Sequence, residues 1–512
     1  MISAAISRPG FAARLGITAA LTAAADFLLF GHPFGISLLL FAALLGVGIA
    51  IANRTPPDRR ASVLWAFLAA GLLPLVENIS LLSVSVAIAS LGIFALAASG
   101  RLRNGLANMA RQLPALALAT PFRLPLDLLR WRRASRRTKG GMVRLAIVLG
   151  WLMPIVLALV FITLFAMANP VVERWVALLD PRALLALLQP LQLAFWLAVI
   201  FCVWALLRPR LPKVFQRRST PGLSPAPGPR FAPAKTEPDR LFDTLFGRAA
   251  IFRALLIFNA IFAVETLLDI VYLWGGVALP DGMTYAEYAH RGAYPLIATA
   301  LLAAGFVLLA LRPGSAASAD RPIRLLVYLW IAQNVVLVLS SILRLDLYID
   351  IYMLTYWRVA AFIWMGLVAV GLLLIVARIA LEKPNGWLVD ANLLTLSLTL
   401  YAGCFVNFAG LIADYNVRHS LEMNGRGLPL DRSYLLSLGP AAVPALDLLI
   451  AGAVPERTAD PASLRRDRDW LARRHERQTA EWRAWTFRGW RLSRYLDENM
   501  RPVPPGLPLD PR

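Results

Sequence analysis

The sequence predicts an all-α fold: a polytopic integral membrane helix bundle of about 11 transmembrane helices, followed by a C-terminal extramembrane helical domain. Three observations predict it. Of 512 residues 58% are hydrophobic and only 16% charged, and the mean hydropathy is +0.61. The apolar residues fall into runs of the roughly 20 residues that a helix needs to cross a hydrocarbon core. The basic residues sit between those runs on alternate sides. A soluble domain carries about 25% charge, so a soluble enzyme, a disordered regulator and a fibrous protein are excluded.

The runs lie at 14–31, 35–52, 61–77, 80–98, 143–168 and 188–207, then at 249–274, 293–311, 323–343, 357–380 and 387–410. Gly31-His32-Pro33 and Glu77-Asn78 leave tight hairpins between the first four. No cleavable signal peptide is needed, because the first run is followed by ten more. With the N-terminus inside, the inner segments hold 29 Arg and Lys residues and the outer loops five, Arg174, Arg182, Arg291, Arg344 and Arg358. That bias predicts a cytoplasmic N-terminus. Eleven crossings then put residues 411–512 outside, in the periplasm of a bacterial cell whose inner membrane holds the chain. Only four of the 52 basic residues are lysine, and the net charge is +21. Cys202 and Cys404 lie in apolar segments and form no metal or disulfide framework.

Residues 1–207 read as an N-terminal six-span region. Its segment 101–140 interleaves apolar stretches with Arg123, Arg130, Arg132, Arg133, Arg136 and Arg137. Such a segment can lie on the inner leaflet and meet anionic lipid headgroups; plain positive-inside topology is the simpler explanation of the same charges. Residues 208–245 are a Pro-rich linker that cannot bury a core. Residues 246–410 form a five-span domain. In the tail, Asn424-Gly425-Arg426-Gly427 stops a helix, Asp431 can cap a short one, Pro440 can open another, and 464–499 reads as a single polar helix. That last helix mixes Trp470, Trp482, Trp485, Trp490 and Tyr495 with arginines. Its indoles can sit at headgroup depth on the outer leaflet, or pack the helix onto the rest of the tail. On that side no nucleic acid is expected.

A family resemblance rests on residues of the second half. The stretch Phe258-Asn259-Ala260-Ile261-Phe262-Ala263-Val264-Glu265-Thr266 leads through Asp269 and Tyr272 to Leu279-Pro280-Asp281-Gly282-Met283-Thr284-Tyr285. Further on come Tyr288-Ala289-His290-Arg291-Gly292-Ala293-Tyr294-Pro295, Gln333-Asn334, Ser340-Ser341-Ile342-Leu343-Arg344-Leu345 and Arg358. Tyr415-Asn416-Val417, Asp431, Tyr434-Leu435 and Trp482-Arg483 complete the pattern. Over about residues 245–495 the chain resembles the bacterial multi-pass membrane proteins called domain of unknown function 4173, with the related family 4153 close by. The resemblance implies a shared membrane architecture and brings no catalytic residue, substrate or cofactor.

One constellation could carry chemistry. Glu265 and Asp269 are four apart, on one face of one span, and intramembrane acids usually face a bundle interior or a wet cavity. Asp281, Glu287, His290 and Arg291 occupy the following outer loop, while Arg344 and Arg358 bracket the next one. Two acids and two arginines could converge at an outer mouth as a proton- or ion-coupled site, or instead form buried ion pairs that fix packing. His32, His290, His419 and His475 show no metal-ligand spacing. Phosphate-loop, nucleophile-elbow and His-Glu-x-x-His motifs are absent, and no cofactor is implied. Three classes remain: a non-catalytic scaffold, sensor or signalling partner that meets another envelope protein, an ion-coupled transporter, and a membrane-embedded enzyme acting on a lipid-linked substrate.

Overall fold

In a computed structural model the structure describes residues 10–55, 58–103, 105–136, 190–210, 248–274, 305, 320–452 and 461–499. Among these every regular element is helical. Eight helices are long and apolar enough to cross a membrane, and a bent helix pair makes up to nine. The expected spans at 143–168 and 293–311 lie outside the described residues. The other nine expected spans each coincide with a helix. The chain groups into two units, residues 1–218 with 478–490, and residues 219–477 with 491–512.

In the first unit, α1 (Phe11–Leu29), α2 (Ile36–Asn53), α3 (Arg59–Glu77) and α4 (Leu81–Ala98) form successive hairpins. Turn chemistry sets their ends. Gly31 takes a φ of +74° between α1 and α2, where a side chain would be strained. Asp58 caps α3 by accepting from the Ala61 N–H at 2.8 Å. Ser80 and Ser83 form a capping box at the start of α4. Small residues let the helices close on one another: a Cβ at Gly46 would lie 2.7 Å from Leu68 Cδ2, and one at Gly48 2.8 Å from Leu21 Cδ1. This Gly pair is therefore a packing device. Helix α5 (Leu106–Arg136) and helix α6 (Pro190–Leu207) complete the unit. Its core gathers Ile49, Leu68, Leu75, Phe94, Val203 and Leu207.

Helix α6 runs from the α1–α2 hairpin end to the opposite end. Gln192 and Trp196, in its first turns, donate to Asp26 near the end of α1, and Asn53 at the end of α2 donates to the Leu207 carbonyl. The segment 478–490 sits at the hairpin end. Trp485 accepts from the Ile36 N–H at 2.8 Å, Glu481 lies 3.0 Å from His32, and Arg488 Nε lies 3.1 Å from Glu77 Oε1.

In the second unit, α7 (Arg248–Asp269) passes directly into a π-helical turn, Ile270–Trp274. Helices α8 (Arg321–Tyr352), α9 (Tyr356–Ala380) and α10 (Asn385–Gly403) follow. Helices α7 and α8 are parallel: Arg248 pairs with Asp320 at their starts, Asn259 bonds the Leu326 carbonyl midway, and Trp274 bonds Ser340 toward their ends. Their shared core holds Leu255, Phe262, Val327, Trp330 and Leu337. The opposite face of α7 leaves Ile257, Ile261 and Val264 57–60% exposed. A row of aliphatic groups so open to solvent is what lipid tails cover.

At 32 residues α8 spans about 48 Å, more than a hydrocarbon core requires. Its last turns pack on the tail, where Ile349 and Leu354 join Ile412, Val417, Leu435, Leu446 and Leu471. The tail begins where α11 (Phe408–Arg418) bends 70° from α10. It continues as α12 (Leu421–Asn424), α13 (Arg432–Ser437) and α14 (Val443–Gly452). Gly425, at φ +70°, ends α12, and Asp431 caps α13 by accepting from the Tyr434 N–H at 2.9 Å. That backbone bond holds the Asp431 carboxyl below the usual carboxylate range, helped by the Ser433 hydroxyl.

The polar helix expected over 464–499 is broken. It forms as α15 (Pro461–Thr479), a 3₁₀ turn Trp482–Ala484 and α16 (Phe487–Asn499). Helical propensity allows a continuous helix here, but the docking of 481–488 on the first unit's hairpins overrides it, and Thr486 restarts the helix by accepting from the Gly489 N–H.

Candidate functional site

A buried polar cluster of the second unit lies between α7 and α8. Glu265 and Asp269 share the α7 face turned to α8. Asp269 is wholly buried and paired with Arg344, itself 5% exposed, while Glu265 lies 3.6 Å from the same guanidinium and is one-third exposed. Below this cluster, Asn259 donates to the Leu255 and Leu326 carbonyls at 2.8 and 3.0 Å, and Gln333 donates to the Asn259 carbonyl at 3.2 Å. Asn259 Oδ1, Thr266 Oγ1 and Gln333 Oε1 are buried without a hydrogen-bond partner among the described residues. Above it, the π-helical turn aims Trp274 Nε1 at Ser340 Oγ, 3.2 Å away. Such turns often mark functional positions, because the extra residue re-aims the side chains beyond it.

Of the residues singled out in the sequence, Glu265, Asp269 and Arg344 come together. Arg358 does not join them. Its guanidinium donates to the Tyr352 and Met353 carbonyls and lies 4.6 Å over the Tyr348 ring. It secures the α8–α9 turn, where Met353 has a φ of +64°. Asp281, Glu287, His290 and Arg291 lie outside the described residues. Several residues behind the family resemblance hold this same turn. Asn416 exchanges two buried hydrogen bonds with Leu354, at 2.7 and 2.9 Å, and the Tyr434 hydroxyl accepts from the Tyr356 N–H.

Three of the histidines are described, and His32 faces Glu481 as above. His475 is buried against Ser493, and His419 stacks on Tyr415. Among the described residues no group of three or more His, Cys, Asp or Glu side chains could hold a metal ion.

Two open clefts lie on the tail. One, of about 530 Å³, is lined by Ile349, Asp350, Tyr415, His419 and Arg426. The other, of about 580 Å³, is lined by Asn407, Asp414, Arg418, Asp447 and Tyr495. Asp447, in the wall of the second cleft, accepts from Arg468 and from the Tyr495 hydroxyl. Burial pushes the Tyr495 phenol up, and the Asp447 charge adds to the shift.

Sequence reasoning passed over two features of the first unit. Asp26, an acid inside the first span, accepts from Gln192 and Trp196 at 2.9 and 2.8 Å. Its signal was available, since an acid in an apolar run is costly unless it has partners. Asp127 gathers arginines from positions about 80 residues apart in the chain, which no local pattern announces.

A family model described as Domain of unknown function (DUF4153) matches residues 39–449, most of the chain. The protein belongs to this family. The match confirms the related family named above and does not confirm the likeness to family 4173. It also reaches into the first unit, whereas the sequence motifs pointed only to residues from about 245 onward. Neither a curated protein nor a solved structure matches the chain. Membership in DUF4153, with the apolar helices, supports a multi-pass membrane protein.

Proposed function

We propose that this DUF4153 protein is a non-catalytic membrane scaffold, sensor or signalling partner of the bacterial cell envelope. Its outward helical tail, residues 411–512, is the working surface. The observation that carries this reading is the closed Asp269–Arg344 pair, which consumes the charges a catalytic or transport site would need.

The end-to-end geometry supports an inner-membrane protein with a cytoplasmic N-terminus and a periplasmic tail. In the first unit, 478–490 lies at the α1–α2 and α3–α4 hairpins, while Arg54, Arg59, Arg101 and Arg208 follow or precede the opposite helix ends. Lys/Arg-rich ends face the cytoplasm. Through Trp131, which stacks on Phe11, α5 stays at the arginine-rich end, yet α6 starts at the other end. In the second unit α7 and α8 are parallel, so the chain leaves one at its far end and enters the other at its near end. The division into 1–207, the linker 208–245, 246–410 and the tail is part of this reading. Trp470, Trp482 and Trp490 are 42–53% exposed. Trp482 and Trp490 give the segment 478–490, and Trp470 gives α15, exposed aromatic surface for a protein partner or the outer-leaflet headgroups.

One observation favours a second reading, an ion-coupled transporter: Glu265 keeps solvent access beside the three buried acceptors of α7 and α8. Fitness profiling of a deletion strain separates the two. Scaffolding predicts that Glu265→Gln complements fully, whereas combined Trp470→Ser, Trp482→Ser and Trp490→Ser inserts normally and fails to complement. Loss of complementation by Glu265→Gln at wild-type abundance contradicts scaffolding and favours transport.

A further inference from the structure

At the arginine-rich end of the first unit, α5 packs Ala115, Leu116 and Ala119 inward, with Leu116 against Leu96. Its other face is apolar as well. Leu118, Phe122, Leu126 and Leu129, spaced along one side of the helix, are 75, 65, 44 and 46% exposed. A surface helix with an outward apolar stripe sits in a membrane interface, its stripe at the acyl boundary. Trp131 stacks on Phe11, 5.1 Å between ring centroids, and fixes the helix beside the start of α1.

Beside that stripe stands a cluster built on Asp127, whose side chain is 1% exposed. Arg208 Nη1 approaches one carboxylate oxygen at 3.1 Å; Arg210 and Arg130 approach the other at 3.0 and 3.4 Å. Arg123 feels the same charge, and its buried Nε has no hydrogen-bond partner among the described residues. Arg101, bonded to the Pro209 carbonyl, pins the Arg208-Pro209-Arg210 corner, and Gln112 in turn donates to the Arg101 carbonyl at 3.2 Å. Burial lowers the pKa of Arg123 and Arg208, Asp127 opposes it, and neighbouring guanidiniums add to the lowering. Guanidiniums keep their charge in proteins, so among the described residues four cations surround one carboxylate and leave a net charge of three.

We infer that this cluster seats the phosphate of an anionic phospholipid in the leaflet where α6 ends. Bidentate guanidiniums match phosphate oxygens, and basic pockets beside spans at that level bind acidic headgroups. A lipid fits better than a soluble anion because the apolar stripe of α5 provides the surface along which its acyl chains lie. The inference goes beyond scaffolding and rests only on α6 spanning the bilayer.

Native mass spectrometry of the full-length protein in detergent tests it, with phosphatidylglycerol and phosphatidylcholine added in equal amounts. The wild type retains phosphatidylglycerol preferentially. Combined Arg208→Gln and Arg210→Gln lowers that preference roughly thirtyfold, and Arg130→Gln alone roughly fivefold. Combined Arg59→Gln and Arg60→Gln, exposed arginines at the same end, leaves it unchanged. Should the Arg208/Arg210 variant aggregate, Arg130→Gln decides, since it leaves Asp127 its two inner partners. Three results overturn the inference. They are an unchanged preference in Arg130→Gln or in the folded double variant, an equal loss in Arg59→Gln/Arg60→Gln, or displacement of the lipid by excess inorganic phosphate.

Discussion

Replacing Asp269 by Asn destabilises the second unit by about 3–5 kcal/mol, because it leaves the buried Arg344 guanidinium without the carboxylate that neutralises it. Glu265 remains 3.6 Å away and one-third exposed, too far and too wet to replace it. Glu265→Gln alone therefore costs less than about 1 kcal/mol. The pair need not be ionic to be stable. A double variant, Asp269→Leu with Arg344→Met, removes both charges at similar volume and recovers most of the loss. Unfolding by SDS titration in mixed micelles, read by tryptophan fluorescence, orders the four proteins as wild type, Glu265→Gln, double variant, Asp269→Asn. If Asp269→Asn unfolds like the wild type, the cluster is not a structural lock.

The second large effect is expected at Gly35. A Cβ there would collide with the backbone of Arg483 and Ala484, so something more than a flexible side chain must move. Gly35→Ala forces the 478–490 segment away from the hairpin. It strains the bond from the Ile36 N–H to the Trp485 carbonyl, the Arg483 guanidinium 4.8 Å over the Phe27 ring and the pair of Arg488 with Glu77. Overpacking of this kind costs about 1–3 kcal/mol. The readout is cross-linking by a short bis-maleimide between Glu77→Cys and Arg488→Cys, with Cys202 and Cys404 replaced by Ala. Yield falls several-fold in Gly35→Ala and is unchanged in Gly10→Ala, where a Cβ meets nothing. Equal yields in both contradict the docking.

The membrane class was legible because the spans are long runs set by bilayer thickness, and that signal survives without any tertiary information. Capping was legible for the same local reason: Asp431 and the stop at Gly425 act within a few residues of themselves. The Glu265–Asp269 face and its partner Arg344 could be picked out because charges inside a span are rare and need company. What could not be read was which of two arginines would answer. Arg344 and Arg358 both lie near the α8–α9 connection, and only the turn at Met353, with its carbonyls aimed at Arg358, separates their roles. The break in the last polar helix and the Asp127 cluster were hidden for a different reason. Both depend on contacts between segments far apart in the chain, and helix propensity or charge spacing carries no trace of such partners.

On the proposed topology the tail and the arginine-rich helix ends face opposite sides of the membrane. Thiol labelling by a membrane-impermeant maleimide on spheroplasts tests it directly, using the protein with Cys202 and Cys404 replaced by Ala. Single cysteines go at Ser433 in the tail and at Asp58 between α2 and α3. Ser433→Cys is expected to label on intact spheroplasts, and Asp58→Cys only after lysis. Labelling of both in the intact state, or of Asp58→Cys alone, would contradict it.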